Sequence, residues 1–310
     1  MVGSLRSWIE VKWVVDYPCG FFYLYALRDP WVERIKMKHP MLQYLKETGM
    51  YGDRFPTIFC PGCGVGQVLN YTLEAVDHLV QKDGISRERF FFASGVGCSA
   101  RLTSHYMGFD SIWSLHGRAP AVATGALLAR PELKAIVFTG DGDVAAIGGN
   151  HFIHVCRRNL DMTLICMNNG LYGMTGGQSA PTTARGIPST TSPYGNVENA
   201  FDLCELAITA GASYVARWTT VHPQQCIQAI EKGIRKKGLA FIEIMTQCPT
   251  HWKQEPSKMM KKFRSQAVRF SPEKGKEALK KDQFWVGEFM DKDQPEWLET
   301  YQKIIDRFQK

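Results

Sequence analysis

The sequence predicts an α/β domain, in which helices flank a mostly parallel sheet, with extensions at both ends of the chain. Between residues 60 and 246, short β-branched and aromatic runs alternate with stretches whose apolar residues recur at helical spacing. The chain has 310 residues, 45% of them hydrophobic and 22% charged, so it is long enough to bury a sizeable core. This composition excludes disordered, collagen-like and coiled-coil proteins.

The elements are expected in a regular order along three regions. Residues 1–55 form an irregular N-terminal extension, with helical periodicity only around 31–45. Residues 56–252 form the ligand-binding domain, and 253–310 form a charged helical tail in which no strand is expected. The long connection 168–196 is rich in Gly, Ser, Thr and Pro, which is typical of a functional loop. Strands are expected at five apolar runs: Phe90–Ala93, Ala135–Thr139, Met162–Met167, Ser213–Ala216 and Ala240–Met245.

Charge and hydropathy narrow the classes of partner. The net charge is +7, and residues 253–310 contain 14 Lys and Arg against 10 Asp and Glu. A basic tail can favour an acidic partner protein or nucleic acid, although a solvated helical surface is the simpler interpretation. No nucleic-acid-binding signature is recognisable, so no such partner is expected. Apolar stretches fall short of the ~20 residues of a membrane span and no signal peptide is recognised, so we expect a cytoplasmic protein without a membrane partner.

Two glycine-containing turns follow successive predicted strands. Asp141 lies between Gly140 and Gly142, and Asn169 follows the next strand, 28 residues later. Because carboxyl ends of parallel strands meet at one edge of a sheet, both side chains are expected there. Carboxylate and amide oxygens suit Mg²⁺ bound to a diphosphate. An ordinary Asp-Gly turn is the alternative for the first motif taken alone.

Four of the nine cysteines occur in turn-like sequences. Cys60 and Cys63 form a Cys-Pro-Gly-Cys motif before a predicted helix, whereas Cys98 and Cys248 lie near predicted strand ends. By ligand count, such a set binds either Zn²⁺ or a [4Fe–4S] cluster. An odd number of cysteines without a secretion signal argues against a disulfide framework. Cys19 is unexplained, and four more are expected in the core: Cys156, Cys166, Cys204 and Cys226.

Together these motifs resemble the β subunit of the 2-oxoacid:ferredoxin oxidoreductases. The resemblance is carried by GDGDVAAIGGNHFIHVCRRNLDMTLICMNNGLYGMTGG from Gly140, by CPGCGVG from Cys60 and by SGVGCSARL from Ser94. It extends to HGRAPAVATG from His116 and QCPTH from Gln247. These motifs span residues 55–252, about two thirds of the chain, in one order. Residues 1–50 depart from the family pattern as an extension of unknown purpose.

The resemblance implies a thiamine diphosphate-binding fold with defined site residues. Mg²⁺ would be held by the side chains of Asp141 and Asn169 and the carbonyl of Leu171. A [4Fe–4S] cluster would be held by Cys60, Cys63, Cys98 and Cys248. His116 and Arg118 would be catalytic residues at the mouth of the site, with a buried structural histidine as the alternative for His116. Thiamine diphosphate would contact eleven residues: Val96, Gly97, Cys98, Ser99, Gly117, Gly140, Asp141, Gly142, Asp143, Gly173 and Met174.

The implied activity is coenzyme A-dependent oxidative decarboxylation of a 2-oxoacid, with ferredoxin reduction, or the reverse carboxylation. The 2-oxoacid is expected to be 2-oxoglutarate, with pyruvate second. Only the diphosphate-side domain is recognisable, so the resemblance also implies a separate α subunit that supplies the aminopyrimidine side. Two rival functions stay open: a stand-alone thiamine-dependent decarboxylase or synthase, and a zinc-binding interaction protein.

Overall fold

The computed structural model describes residues 57–271, 279–280 and 282–309. Contacts divide the chain into residues 1–36 and 37–310, and the elements given below belong to the second unit. The expectations for residues 1–55, including the helical periodicity at 31–45 and the role of Cys19, lie outside the described residues. Within the described part, no helix is long and apolar enough to cross a membrane.

The core of the structure is an eight-stranded sheet of order β2-β1-β3-β4-β8-β7-β10-β9. Neighbouring strands are parallel, except that β10 runs antiparallel to β7. The two remaining strands, β5 and β6, form a separate small hairpin. The strands are β1 Phe90–Ser94, β2 Asp110–Trp113, β3 Lys134–Gly140, β4 Met162–Asn168, β5 Leu171–Tyr172, β6 Gln178–Ser179, β7 Tyr214–Thr219, β8 Ala240–Met245, β9 Ala267–Arg269 and β10 Phe284–Asp291.

Helices cover both faces of this sheet. They are α1 Gly64–Asp83, α2 Ala119–Ala129, α3 Gly149–Arg158, α4 Leu203–Ala210, α5 Pro223–Arg235, α6 Pro249–Trp252, α7 Pro256–Gln266 and α8 Trp297–Phe308. Alternate residues of β3 enter opposite cores: Phe138 packs in the cluster that includes α1 and α5, whereas Val137 packs in the one that includes α2, α3 and α4. Every residue of β4 is buried, which is consistent with its mostly apolar sequence.

The five predicted strands are confirmed: Ala240–Met245 has the predicted ends, and the ends of the other four differ by at most three positions. The expectation of a tail without strands is wrong, because β9 and β10 extend the sheet. The described parts of the tail that contain β9 and β10 therefore belong to the sheet domain. The strand signal of β10 is an aromatic run that directly follows a lysine-rich segment. Edge strand β2 was also missed, since its four residues are exposed and lack a buried face.

Candidate functional site

The carboxyl ends of four parallel strands assemble the candidate site. β1, β3, β4 and β8 are neighbours in the sheet, so the turns that follow them meet at one edge. The turns after β4 and β8 are joined directly: the Thr246 N–H donates to the Asn168 carbonyl at 2.7 Å. The start of α1 joins them, because the Gly64 N–H donates to the Gln247 carbonyl at 3.0 Å.

Asp141, just after β3, is almost completely buried. Its carboxylate accepts a hydrogen bond from the Thr182 hydroxyl and backbone hydrogen bonds at Asn169 and Gly142. Burial raises the pKa of this carboxyl to about 6, and the hydrogen bonds oppose that rise. Within the described ranges, no basic side chain forms an ion pair with it. A buried carboxylate without a counter-charge is suited to a metal cation.

The turn after β4 places Asn169 beside that carboxylate. The Asn169 side-chain oxygen accepts the Leu171 N–H at 3.2 Å, and its backbone carbonyl accepts the Trp252 indole N–H at 2.9 Å. An amide oxygen has a second lone pair, which stays available for a metal. Leu171 is buried where β5 begins, so its backbone is fixed in the same turn. The atoms in this region that could bind a metal are oxygen atoms, and Mg²⁺ prefers oxygen ligands.

A buried polar network lies behind this turn. Asn168 donates its side-chain N–H to Glu243 of β8 at 2.7 Å and accepts the Gly170 N–H at 2.9 Å. Glu243 also accepts from Arg217 Nε at 2.6 Å and from the Cys204 thiol at 3.3 Å. Glu243 is only 1% exposed, so its charge depends on these partners. This network is not predicted from the sequence, although an acidic residue within an apolar strand, such as Glu243 in β8, is a usable signal.

Asp143 has a different environment from Asp141. Its carboxylate accepts the Gly117 N–H at 2.7 Å, the Val96 N–H at 3.3 Å and the Thr139 hydroxyl at 2.7 Å, and it also contacts the His116 ring. These contacts use most of its acceptor capacity and join three loops. The predicted contact of Asp143 with the cofactor stays a prediction; its side chain holds the loops that carry other predicted contacts.

His116 and Arg118 are both held by hydrogen bonds. The Asp143 carboxylate contacts Nδ1 of His116, and the His116 ring packs edge-on against Tyr172 with centroids 6.1 Å apart. If Nδ1 holds the proton for that contact, Nε2 is the acceptor of the neutral ring. Arg118 donates to the Ile147 carbonyl at 2.8 Å. This bond anchors Arg118 to the turn before α3.

Several of the predicted glycines border this edge of the sheet. Gly97 has a φ of 131°, which side-chain-bearing residues rarely adopt, and no atom lies within 4 Å of where a Cβ would be. A Cβ at Gly140 would lie 3.7 Å from the buried Ser99 hydroxyl, without a clash. At Gly142 a Cβ would overlap the Tyr172 ring, so that position excludes larger residues. Met174 is partly buried and follows the turn residue Gly173.

The four cysteines in turn sequences converge, although positions 60 and 248 are far apart in the chain. Burial raises the pKa of Cys63 to about 12, and the nearby thiols of Cys98, Cys248 and Cys60 add to that rise. Cys60 is exposed, whereas the other three are partly buried. In residues 57–271 and the described parts beyond, no three His, Cys, Asp or Glu side chains form a ready site for one metal ion. In a [4Fe–4S] cluster each thiolate binds a different iron, so such ligands stand farther apart than around one ion.

Cys248 lies beside the oxygen-lined turn. A Cβ at Gly173 would be 3.5 Å from Cys248 Sγ, and the charge of Asp141 contributes to a raised pKa of Cys248, whose main cause is burial. The structure therefore places the group of cysteines next to the candidate Mg²⁺ site. As predicted, the remaining four cysteines of the described ranges are buried: Cys156, Cys166, Cys204 and Cys226.

Comparison with known families identifies one domain. The family described as "Thiamine pyrophosphate enzyme, C-terminal TPP binding domain" matches residues 95–244. This range contains Asp141, Asn169 and Cys98, whereas the other three clustered cysteines lie outside it.

Comparison with individual proteins extends the similarity over most of the chain. It is 48% identical to "2-oxoglutarate synthase subunit KorB" of Methanocaldococcus jannaschii, over 87% of this chain and 98% of that protein. It is 39% identical to "2-oxoacid:ferredoxin oxidoreductase 2, subunit beta" of Aeropyrum pernix, over 62% and 61%. A solved structure, 2-oxoglutarate:ferredoxin oxidoreductase from Magnetococcus marinus with 2-oxoglutarate, coenzyme A and succinyl-CoA bound, has 33% identity and a TM-score of 0.75, covering 83% of this chain and 89% of that one.

Proposed function

This chain belongs to the β subunits of the 2-oxoacid:ferredoxin oxidoreductases, and we propose that it binds Mg²⁺–thiamine diphosphate and a [4Fe–4S] cluster at the edge of the sheet described above. The similarity to the relatives over most of the chain confirms the family that the motifs predicted. The substrate we propose is 2-oxoglutarate, oxidised with coenzyme A to succinyl-CoA and CO₂. The relatives' names and the ligands in the Magnetococcus marinus structure support this choice over pyruvate.

The position of Cys248 is the observation on which the joint site depends. The same residue lies near Gly173 and the Asp141 carboxylate and also near the thiols of the other three cysteines. A redox cluster held there would be adjacent to the reacting cofactor. Neither rival function, a stand-alone decarboxylase or a zinc-binding interaction protein, accounts for this proximity.

When bound, thiamine diphosphate supplies the electron sink for decarboxylation, and the cluster accepts electrons one at a time. The chain's own residues have four tasks. Asp141, Asn169 and the Leu171 carbonyl would hold Mg²⁺ and, through it, the diphosphate. Asp143 fixes the loops at Val96 and Gly117 that border the site. His116, oriented by Asp143, is placed to accept or return a proton at Nε2. The burial of Asp141 keeps water away from the metal ligands.

A partner subunit completes the site in this proposal. Large apolar side chains are exposed in the long connection after β4 and directly after it, among them Ile187, Tyr194 and Val197. Exposed apolar groups in a functional loop are typical of an interface. We propose that the α subunit binds the face formed by residues 171–177 and 185–197 and supplies the groups that activate the aminopyrimidine. Ferredoxin would be the electron acceptor.

Reconstitution tests the proposed function. The anaerobic β chain is assayed with and without its α subunit for coenzyme A-dependent reduction of methyl viologen by 2-oxoglutarate or pyruvate. We expect turnover only with both subunits, with kcat/KM for 2-oxoglutarate on the order of tenfold or more above that for pyruvate. Full turnover by the β chain alone would support the stand-alone enzyme. Zinc in place of iron, with the thiols intact, would support the zinc-binding protein.

A further inference from the structure

Helix α7 has one apolar face and one basic face. Pro256, Met259 and Phe263 recur at helical spacing and are buried or partly buried. The opposite positions, Lys258, Lys261, Lys262 and Arg264, are all exposed. This helix is therefore anchored by its apolar side and presents four positive charges to solvent.

The positive charge of the tail is concentrated here. Residues 253–269 contain six Lys and Arg and one acidic residue, whereas 270–310 contain eight basic and nine acidic residues. Lys258 pairs with Glu255 at 3.3 Å, in an exposed contact of little energetic value. Lys261 and Lys262 have no ion-pair partner among the described residues. A face with so little compensating charge creates a local positive potential.

The basic face begins at the solvent-exposed edge of the cysteine group. Pro256, the first residue of α7, packs so tightly on Gly62 that a Cβ at Gly62 would overlap its ring. Cys60, Pro61 and Gly62 are exposed, whereas Cys248 lies inward beside Asp141. The cysteine group thus has an inner end at the candidate cofactor site and an outer end beside the lysines.

We propose that the exposed face of α7 and the Cys60–Cys63 turn form the docking surface for a small acidic iron–sulfur electron carrier. The proposal rests on the proposed function, in which the four cysteines hold a cluster. Electron transfer slows steeply with distance, so a carrier must approach the outer end of the cluster closely. A positive face beside that point attracts and orients an acidic partner. Nucleic acid would also be attracted to the charge, but the position beside the exposed cysteines favours a redox partner.

The stoichiometry requires two encounters per turnover. The 2-oxoglutarate and coenzyme A thiol yield succinyl-CoA, CO₂, one proton and two electrons. The bond between C1 and C2 of the 2-oxoacid breaks, and a carbon–sulfur bond forms. This count applies to a carrier that takes one electron per encounter from the cluster that the four cysteines would hold. A surface that binds briefly and releases readily suits this cycle, and charge steering provides rapid association.

The test uses the αβ complex with Lys258→Glu, Lys261→Glu and Lys262→Glu combined in the β chain. A matched control, Lys303→Glu with Arg307→Glu, reverses two exposed charges on α8. Initial rates with 2-oxoglutarate and coenzyme A are measured with a purified acidic ferredoxin and, separately, with methyl viologen. Thermal melting verifies that both variants fold.

We expect the triple variant to raise KM for ferredoxin on the order of tenfold at low ionic strength, with kcat near that of the unchanged complex. The difference should shrink at 1 M salt, where the Debye length is ~3 Å. Methyl viologen, a small dication, should be reduced at an undiminished rate, and the control should retain its ferredoxin KM. An unchanged ferredoxin KM in the triple variant would overturn the proposal. Binding of a labelled RNA is measured as well, and a triple variant that binds this RNA more weakly but keeps its ferredoxin KM would also overturn the proposal. If the unaltered complex reduced neither acceptor, the proposed function itself would fail.

Discussion

Asp141 and Asp143 are two residues apart, yet their carboxylates have opposite roles. Asp143 is surrounded by donors from the Val96 and Gly117 backbones and from Thr139, which satisfy a buried charge. Asp141 is equally buried, and burial raises its pKa to about 6 although the Thr182 hydroxyl and the backbone hydrogen bonds oppose that rise. The Asp143 carboxylate therefore stabilises the fold by itself, whereas the buried charge of Asp141 would be stabilised by a bound cation.

Replacing Asp141 by Asn separates binding from stability. The variant loses a charged metal ligand, so the affinity for Mg²⁺–thiamine diphosphate should fall on the order of tenfold or more. The metal-free protein should melt no earlier than the unchanged chain, because the substitution removes a buried charge that has no counter-charge, while the amide oxygen can still accept from Thr182. Isothermal calorimetry and thermal melting measure the two effects. Equal cofactor affinity in both proteins would refute the assignment of Asp141 as a ligand.

Replacing Asp143 by Asn is the matched comparison. Here the substitution removes charge-assisted hydrogen bonds and turns an amide N–H₂ toward existing donors. The free energy of unfolding should fall by about 2–3 kcal/mol, which denaturant titration of the metal-free protein measures. If the free energy of unfolding fell no more in Asp143→Asn than in Asp141→Asn, the loops would be held by other contacts.

At the scale of elements, the turn after β4 depends on the register between β4 and β8. Asn168 of β4 lies opposite Met245 of β8 in the parallel ladder. Its side chain hydrogen-bonds to Glu243, which is also in β8. Glu243 in turn pairs with Arg217 of β7. Three central strands thus hold Asn168, the residue before Asn169, through one polar network. We therefore expect a change in β8 to alter metal binding at Asn169.

Glu243→Gln tests this coupling. The substitution preserves size but leaves the buried Arg217 guanidinium with a weaker partner, so the free energy of unfolding should fall by about 3 kcal/mol. Because the Asn168 turn loses its support, cofactor affinity should fall several-fold, although Glu243 is not proposed as a ligand. Melting and calorimetry are compared with Glu198→Gln, a change at an exposed position. A normal affinity in a destabilised Glu243→Gln protein would restrict Glu243 to a structural role.

The elements also show what the sequence predicts and where local patterns fail. Buried strands such as β4 are predictable because most of their residues are apolar, and Asp141 and Asn169 are predictable as site residues because both follow such strands. The contact between Asn168 and Glu243 joins residues 75 positions apart, so it depends on strand order and register and has no local signature. Ligand count alone left zinc and iron open for the four cysteines, and the family resemblance was needed to favour iron.

For the whole molecule, the exposed apolar residues of the connection after β4 predict the subunit interface. Tyr194 and Val197 are among the most exposed large apolar side chains of the described ranges. Tyr194→Asp combined with Val197→Asp should weaken association with the α subunit on the order of tenfold or more, since charges would be buried in the complex. Analytical ultracentrifugation measures the association, and unchanged melting of the isolated chain serves as the control. Normal assembly of the double variant would place the interface elsewhere.

Electron transfer from the substrate to the four-cysteine cluster can be observed in a single turnover. The anaerobic αβ complex, loaded with Mg²⁺ and thiamine diphosphate, is mixed with 2-oxoglutarate and coenzyme A in the absence of an external acceptor, frozen and examined by electron paramagnetic resonance. We predict the signal of a reduced [4Fe–4S] cluster, and its loss when Asp141 is replaced by Asn. A cluster that dithionite reduces but that substrate leaves oxidised in the unaltered complex would contradict the joint site.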